Sequence, residues 1–285
     1  MAMSFVAVEI AGQPGCWGRV SGAPVARVGE RVAVVGCGTS WFVGMAFAAL
    51  RSARGEWTDA FAASEADLGR GYDRVVAITR SGTTTEVVDL LERVDLPSTV
   101  ITGVADSPAA ELAGETVLLD FADEQSVVQT RFATTALAHL RASLGEDLSA
   151  AIADAGTALE VDLQDLPDAE QFTFLGQGWT VGLAHEAALK IREAAGLWSE
   201  SYPAMEYRHG PISIAQPGRV AWVFGQAPDG LEADIAKTGA TYVGSDLDPM
   251  AQLVLAQRVA VEAALRRGLD PDRPRNLTRS VVLGA

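Results

Sequence analysis

Cysteine is nearly absent: Cys16 and Cys37 are the only two in 285 residues. Neither has neighbours at metal-ligand spacing, which removes a disulfide framework and a zinc site from consideration. Lysine is equally scarce. Among 22 basic residues only Lys190 and Lys237 are lysines, so arginine supplies nearly every cation, and the two lysines mark places where an amine of adjustable pKa has a use. Long apolar runs are missing as well. Stretches such as 45–50 and 253–256 fall far short of the roughly 20 residues that cross a bilayer. The opening MAMSFVAVEIAG has neither a basic n-region nor a long apolar h-region, so it does not resemble a secretion signal. A cytoplasmic protein without membrane partners is the expectation. Positive charge is in deficit too, with a formal net charge of −15. No Lys/Arg run segregates a basic face, so nucleic acid is not an expected partner. An anionic small ligand would need local donors.

What is present is an alternation. Apolar runs rich in β-branched residues occur at 31–37, 74–79, 98–104 and 115–120, with helical patterns at 40–53, 84–94 and 107–113 between them. That order predicts a parallel sheet covered by helices. After an Ala-rich helical segment ending near Pro167 the pattern restarts. A strand is predicted at 172–177, then a helix, strands near 219–225 and 240–244, a long helix at 249–267 and an irregular tail from 270. The predicted fold class is therefore α/β, with two units, 1–147 and 148–285, each a parallel sheet flanked by helices. Their openings, VAVVGCGTSWFVGMAFAAL and FTFLGQGWTVGLAHEAALK, share a strand, Gly-x-Gly, a hydroxyl or small residue, an aromatic and a helix. A structural repeat explains the likeness, and so does the general preference for glycine at strand-to-helix turns.

Two turns carry candidate chemistry. In VVGCGTSW, Gly36 and Gly38 allow a tight turn, while Thr39 and Ser40 open the next helix, where unpaired amides favour an anion. Trp41 replaces the third glycine of a dinucleotide fingerprint, so a nicotinamide cofactor is not implied; Ser40 as a plain N-cap is the alternative. In VVAITRSGTTTEVV, Thr83 and Glu86 have capping-box spacing. That leaves Thr79, Ser81 and Thr84 as surplus hydroxyls near a helix start, a setting suited to a phosphate. Further on, Glu186, Lys190 and Glu193 at i, i+4 and i+7 share one helix face. A solvated ion-pair face would have the same spacing.

The stretch HEAALKIREAAGLWSESYPAMEYRHGP resembles the isomerase half of glutamine–fructose-6-phosphate aminotransferase and the wider sugar isomerase (SIS) domain family. CGTS at 37–40, TRSGTT at 79–84, EQSVVQTRFATTAL at 124–137 and DRPRNLTRSV at 272–281 extend the resemblance, in order, over nearly the whole chain. It implies two tandem SIS subdomains and a homodimer with shared active sites. It also implies a sugar 6-phosphate bound by Ser40, Thr79, Ser81 and Thr84, with Thr39 beside them and Arg80, Val128 and Gln129 in contact nearby. Glu193 would be the base that moves a proton between C1 and C2. Lys190 and Glu186 share its face, Glu206 precedes the HGP motif, and His209, from the partner subunit, would help open the sugar ring. Carboxylate and imidazole suit those tasks. No metal or organic cofactor is expected.

The sequence also departs from the family. It begins at MAMSFVAVEIAGQPG without a glutaminase region, so transfer of nitrogen from glutamine is not expected of this chain alone. Where the family has an imine-forming lysine in its C-terminal motif, this chain has Arg279. Arginine stays protonated and is not expected to form that imine, although it could neutralise a developing oxyanion. Arg80 adds a cation beside the phosphate turn. The resemblance thus implies a phosphosugar isomerase-type enzyme, with deamination of glucosamine 6-phosphate preferred. A plain isomerase, a deglycase of a sugar-amine 6-phosphate and a non-catalytic phosphosugar-binding regulator are the alternatives.

Overall fold

In a computed structural model that describes residues 4–283, the alternating pattern forms two α/β units, one built from residues 15–148 and 278–283, the other from 4–14 and 149–277. The chain opens with two short helices, α1 (Phe5–Ala11) and α2 (Gln13–Trp17). Then come β1 (Val32–Gly36), α3 (Thr39–Ser52), β2 (Thr58–Ala62), β3 (Arg74–Ile78) and α4 (Thr85–Arg93). β4 (Ser98–Thr102), α5 (Pro108–Leu112), β5 (Glu115–Leu118) and α6 (Arg131–Ser143) complete this unit, whose strands pair in parallel in the order β2-β1-β3-β4-β5.

The other unit repeats the plan. It runs α7 (Ser149–Glu160), β6 (Gln171–Gly176), α8 (Thr180–Ala195), β7 (Trp198–Pro203), β8 (Arg219–Val223), α9 (Leu231–Thr238), β9 (Thr241–Val243) and α10 (Pro249–Arg266). Its parallel sheet has the order β7-β6-β8-β9. The first strand of each unit thus sits between the second and third. The two openings also match at atomic detail. Gly38 and Gly178 have φ of +52° and +55°, and a Cβ at Gly36 would stand 2.8 Å from the carbonyl carbon of Ser40, just as one at Gly176 would collide with Thr180. Glycine is there because the helix start crosses the strand end at backbone contact.

β1, β3, β4 and β6 are buried along their whole length, as expected of parallel strands covered on both faces. Val35, Val75, Ala77 and Val100 pack under Val87 and Leu91 of α4. In the other unit Leu175 and Val223 pack with Tyr207 and Ile235, and the rings of Phe172, Phe174, Trp222 and Phe224 adjoin at centroid spacings of 5.8–6.3 Å. Each such side chain contributes about 1.5–3 kcal/mol by burial.

The residue pattern alone marked neither β2 nor β7 as a strand. β2 and β7 are sheet edges in equivalent places, and their mixed compositions, TDAFA and WSESYP, follow from exposure on the outer side. The terminal segments also depart from the expected division at 147/148. Phe5 and Val6 amides donate to the Asp272 carboxylate at 2.7 and 2.8 Å, tying α1 to the unit of 149–277. Thr85 N donates to Val281 O at 3.2 Å, tying the tail to the unit of 15–148. No helix among the described residues is long and apolar enough to cross a membrane.

His139 on α6 is fully buried, and burial pushes its pKa below the ordinary histidine value. An unfolded chain takes up that proton near pH 6.5 and the folded chain only at lower pH. The stability present above pH 6.5 should therefore be lost as pH falls. Melting temperatures at pH 7.5 and 5.5 should show a smaller drop for His139→Gln than for the wild type.

Candidate functional site

The hydroxyl-rich turn joins β3 to α4. Its path depends on Gly82, which has φ +66° and whose absent Cβ would overlap Ser107 Oγ. Gly82→Ala should cost about 2–3 kcal/mol, read as a lowered urea midpoint at unchanged slope. Thr79 is buried and its Oγ1 has no hydrogen-bond partner among the described residues, and the buried Oε1 of Gln129 likewise has none among them. Thr84 is the N-cap of α4 but makes no side-chain cap bond. The expected capping box is therefore not formed: the Thr83 hydroxyl turns instead to Ser81 Oγ at 3.0 Å and Ser280 Oγ at 2.9 Å. Ser40 is not an N-cap either. α3 starts at Thr39 behind Gly38, which places the buried Thr39 and Ser40 in its first turn. The turn thus sets hydroxyls at the start of α4, and α3 does the same at its own start, both suited to phosphate oxygens.

Arg80 has a structural task that its position in the motif conceals. Its guanidinium donates to Ser126 O at 2.9 Å and Arg279 O at 2.8 Å, and it lies 3.9 Å from the Glu124 carboxylate, both side chains being buried. Glu124 in turn accepts from Thr130 N at 2.7 Å, Thr130 Oγ1 at 2.9 Å and Arg131 N at 2.7 Å, capping α6. Between them runs the Val128–Gln129 segment, fastened by Ser126 Oγ donating to Val128 O at 2.8 Å. The Arg80 charge is therefore balanced by Glu124 rather than left over for a ligand.

The C-terminal tail lies on this turn. Ser280 Oγ is 3.1 Å from Ser81 Oγ, and Arg279 meets both carboxylate oxygens of Asp123 at 2.6 and 2.7 Å. Both bonds come from Nη2, so a single guanidinium nitrogen of Arg279 is shared between the two oxygens. Asp123 escaped the sequence reading, in which Thr83 is only half of a capping box and Glu124 and Ser280 stand in quoted motifs without a role of their own. The signal for Ser280 was its place directly after Arg279 in the tail motif; the others depend on long-range contacts.

In the other unit α8 carries the charged face. Lys190 Nζ lies 3.5 Å from Glu186 Oε1 and bonds Glu193 Oε2. The side chains of Glu186 and Lys190 are each 1% exposed, and that of Glu193 is 18% exposed. A solvated ion-pair face is thereby ruled out. The middle cation lets two carboxylates share a desolvated surface, and the outer one, Glu193, lines a cavity of about 370 Å³. His185, beside Glu186, pairs through Nδ1 with Ser201 Oγ of β7 at 2.7 Å, and burial lowers its pKa. Glu206 and His209 lie on the single-turn segment Ala204–His209 after β7, both exposed.

Two parallel α/β units of one strand order, a hydroxyl turn at a helix start and a buried Glu-Lys-Glu helix define the class: an α/β fold of tandem sugar isomerase (SIS)-like subdomains. Within that class it is similar to the isomerase half of glutamine–fructose-6-phosphate aminotransferase. The enzyme of that name from Sulfolobus acidocaldarius is 30% identical over 298 residues, covering 89% of this chain and 50% of that protein. This chain spans about half the length of the curated relatives it matches. The C-terminal domain of the Francisella tularensis aminotransferase has a TM-score of 0.82 at 20% identity, over 95% of this chain and 99% of that one. Glucosamine-6-phosphate deaminase from Thermotoga maritima has a TM-score of 0.81 at 24% identity, over 98% of this chain and 100% of that one. These likenesses establish the fold. No family model matches the chain.

Proposed function

We propose that the chain is an aldose–ketose isomerase-type enzyme of hexose 6-phosphates and that it deaminates glucosamine 6-phosphate. The observation that carries this reading is the buried Glu186–Lys190–Glu193 face with Glu193 at a cavity. Thr39, Ser40, Thr79, Ser81 and Thr84 take the phosphate, with Val128 and Gln129 beside it. Glu193 removes the C2 proton of the open-chain sugar and returns it to C1 through an enolamine, giving the C2 imine. Water adds to C2 and ammonia leaves, so glucosamine 6-phosphate and water become fructose 6-phosphate and ammonia. Lys190 holds the Glu193 carboxylate in place through their ion pair, and His209 exchanges a proton with the ring oxygen during opening. Arg279, held on Asp123, positions the tail rather than forming an imine.

The test is proton NMR with glucosamine 6-phosphate in heavy water. Loss of the C2 signal with formation of fructose 6-phosphate supports the reading. An unchanged spectrum removes this substrate. We further propose a homodimer in which His209 serves the partner's site. Mixed chains of Glu193→Gln and His209→Ala should then recover about a quarter to a half of wild-type turnover per heterodimer, since one of two sites escapes both substitutions. Purified heterodimers with no recovery would place His209 in its own chain's site.

A further inference from the structure

Of the two lysines in the chain, Lys190 has its place on the buried face of α8. Lys237 lies in the last turn of α9, with its side chain 75% exposed. Its Nζ donates to Asp234 Oδ1 at 2.8 Å. The other oxygen, Asp234 Oδ2, accepts from Arg208 Nε at 2.8 Å. One carboxylate is thus held by two cations, one on each oxygen, and the hydrogen bonds from Lys237 and then Arg208 lower its pKa. Arg208 also donates through Nη2 to Asp229 O at 2.8 Å, directly before Gly230, the N-cap of α9. A guanidinium fork with two acceptors is fixed in orientation as well as in place.

The residue after this fork is His209. The segment Ala204–His209 that carries it has an inner face, Ala204 and Tyr207, buried against Leu231 and Ile235 of α9. Arg208 is the last tie between that segment and the helix. Immediately beyond His209, Gly210 has φ of +140°, an angle that side-chain-bearing residues rarely adopt, and the backbone turns away. His209, itself exposed, takes its position from these neighbours.

As a contribution to stability the pair is minor. The Arg208 and Asp234 side chains are 29% and 34% exposed, and ion pairs of that exposure add little to folding. Position is a more sensitive quantity. A displacement of roughly 1 Å can cost about 100-fold in rate when it moves a group that acts on the substrate.

We propose that Arg208, locked to Asp234, is the positioning residue of His209: the fork on α9 fixes the backbone from which the imidazole reaches the sugar's ring oxygen. This rests on the proposed role of His209 in ring opening. Lys237 completes the device by holding the second Asp234 oxygen, so the carboxylate is oriented before Arg208 meets it.

The experiment uses the full chain labelled with ¹⁵N-histidine, which gives three amide signals because the chain has three histidines. His139 on α6 and His185 on α8 are the references. In Arg208→Gln and in Asp234→Ala the order parameter of the His209 amide should fall from about 0.85 to about 0.6 or lower, while the two references and the melting temperature stay as in the wild type. A His209 amide that is already mobile in the wild type, or equally rigid in both variants, overturns the proposal. Loosening of all three signals together overturns it as well, since that marks a general loss of packing.

Turnover gives the second readout. In both variants kcat for glucosamine 6-phosphate should fall about 10- to 100-fold with KM little changed. The analogue 4,5-dideoxyglucosamine 6-phosphate has no hydroxyl placed to close a five- or six-membered ring, so the variants should process it at the wild-type rate. Equal losses on the two sugars overturn the route through His209. A wild type inert toward both sugars removes the deamination reading alone, and the amide measurement then decides the positioning.

Discussion

Glu193→Gln should abolish proton exchange at C2 of glucosamine 6-phosphate, lowering kcat by about 10²–10⁴-fold, the range contributed by a positioned general base. The glutamine is isosteric and keeps a carbonyl oxygen for Lys190, so folding should change little and KM should move far less than kcat. That split matters, because an interaction lost only in the transition state lowers kcat, whereas a binding defect raises KM. Heavy-water NMR for exchange and a coupled fructose 6-phosphate assay for turnover measure the two quantities. Should Glu193→Gln exchange C2 as fast as the wild type, the catalytic reading of α8 falls, and a phosphosugar-binding regulator becomes the better description of the chain.

Lys190→Met should destabilise the protein by about 3–5 kcal/mol, the cost of removing one member of a buried charge cluster. The Lys190 side chain is 1% exposed, with Glu186 at 3.5 Å equally buried and Glu193 bonded to it. Without the amine, the buried Glu186 must ionise with less compensation or take up a proton, and either outcome weakens the fold at neutral pH. Adding Glu186→Gln to Lys190→Met should recover part of the loss, since it removes the stranded charge. Urea unfolding of the two variants beside the wild type checks both statements. A Lys190→Met protein as stable as the wild type would show that Glu186 finds its neutralisation elsewhere.

The parts legible in the sequence were those governed by short-range rules. The buried strands β1, β3, β4, β6 and β8 read as continuous β-branched or apolar runs because both sheet faces are covered. Glu186, Lys190 and Glu193 were placed on one face by helical period alone. The glycines of the two openings marked real backbone contacts, confirmed at Gly36 against Ser40 and Gly176 against Thr180. Illegible parts depended on what lies across the fold. β2 and β7 lack a strand signature because an edge strand need not be apolar on both faces. The spacing of Thr83 and Glu86 suggested a cap, yet the Thr83 hydroxyl found Ser280, 197 residues away, a partner no local rule reveals.

The identities and spacing of residues in this chain determined its α/β class, its doubled plan and its candidate carboxylates, because each follows from periodicity or composition along a short window. Tertiary structure alone decided which charges are occupied and which remain. It gave Arg80 to Glu124, Ser126 and Arg279, set Arg279 on Asp123, buried Lys190 between two carboxylates and left Glu193 at a cavity. The physical reason is that the availability of a charge depends on desolvation and on partners brought close by folding, and neither quantity is a property of a sequence window.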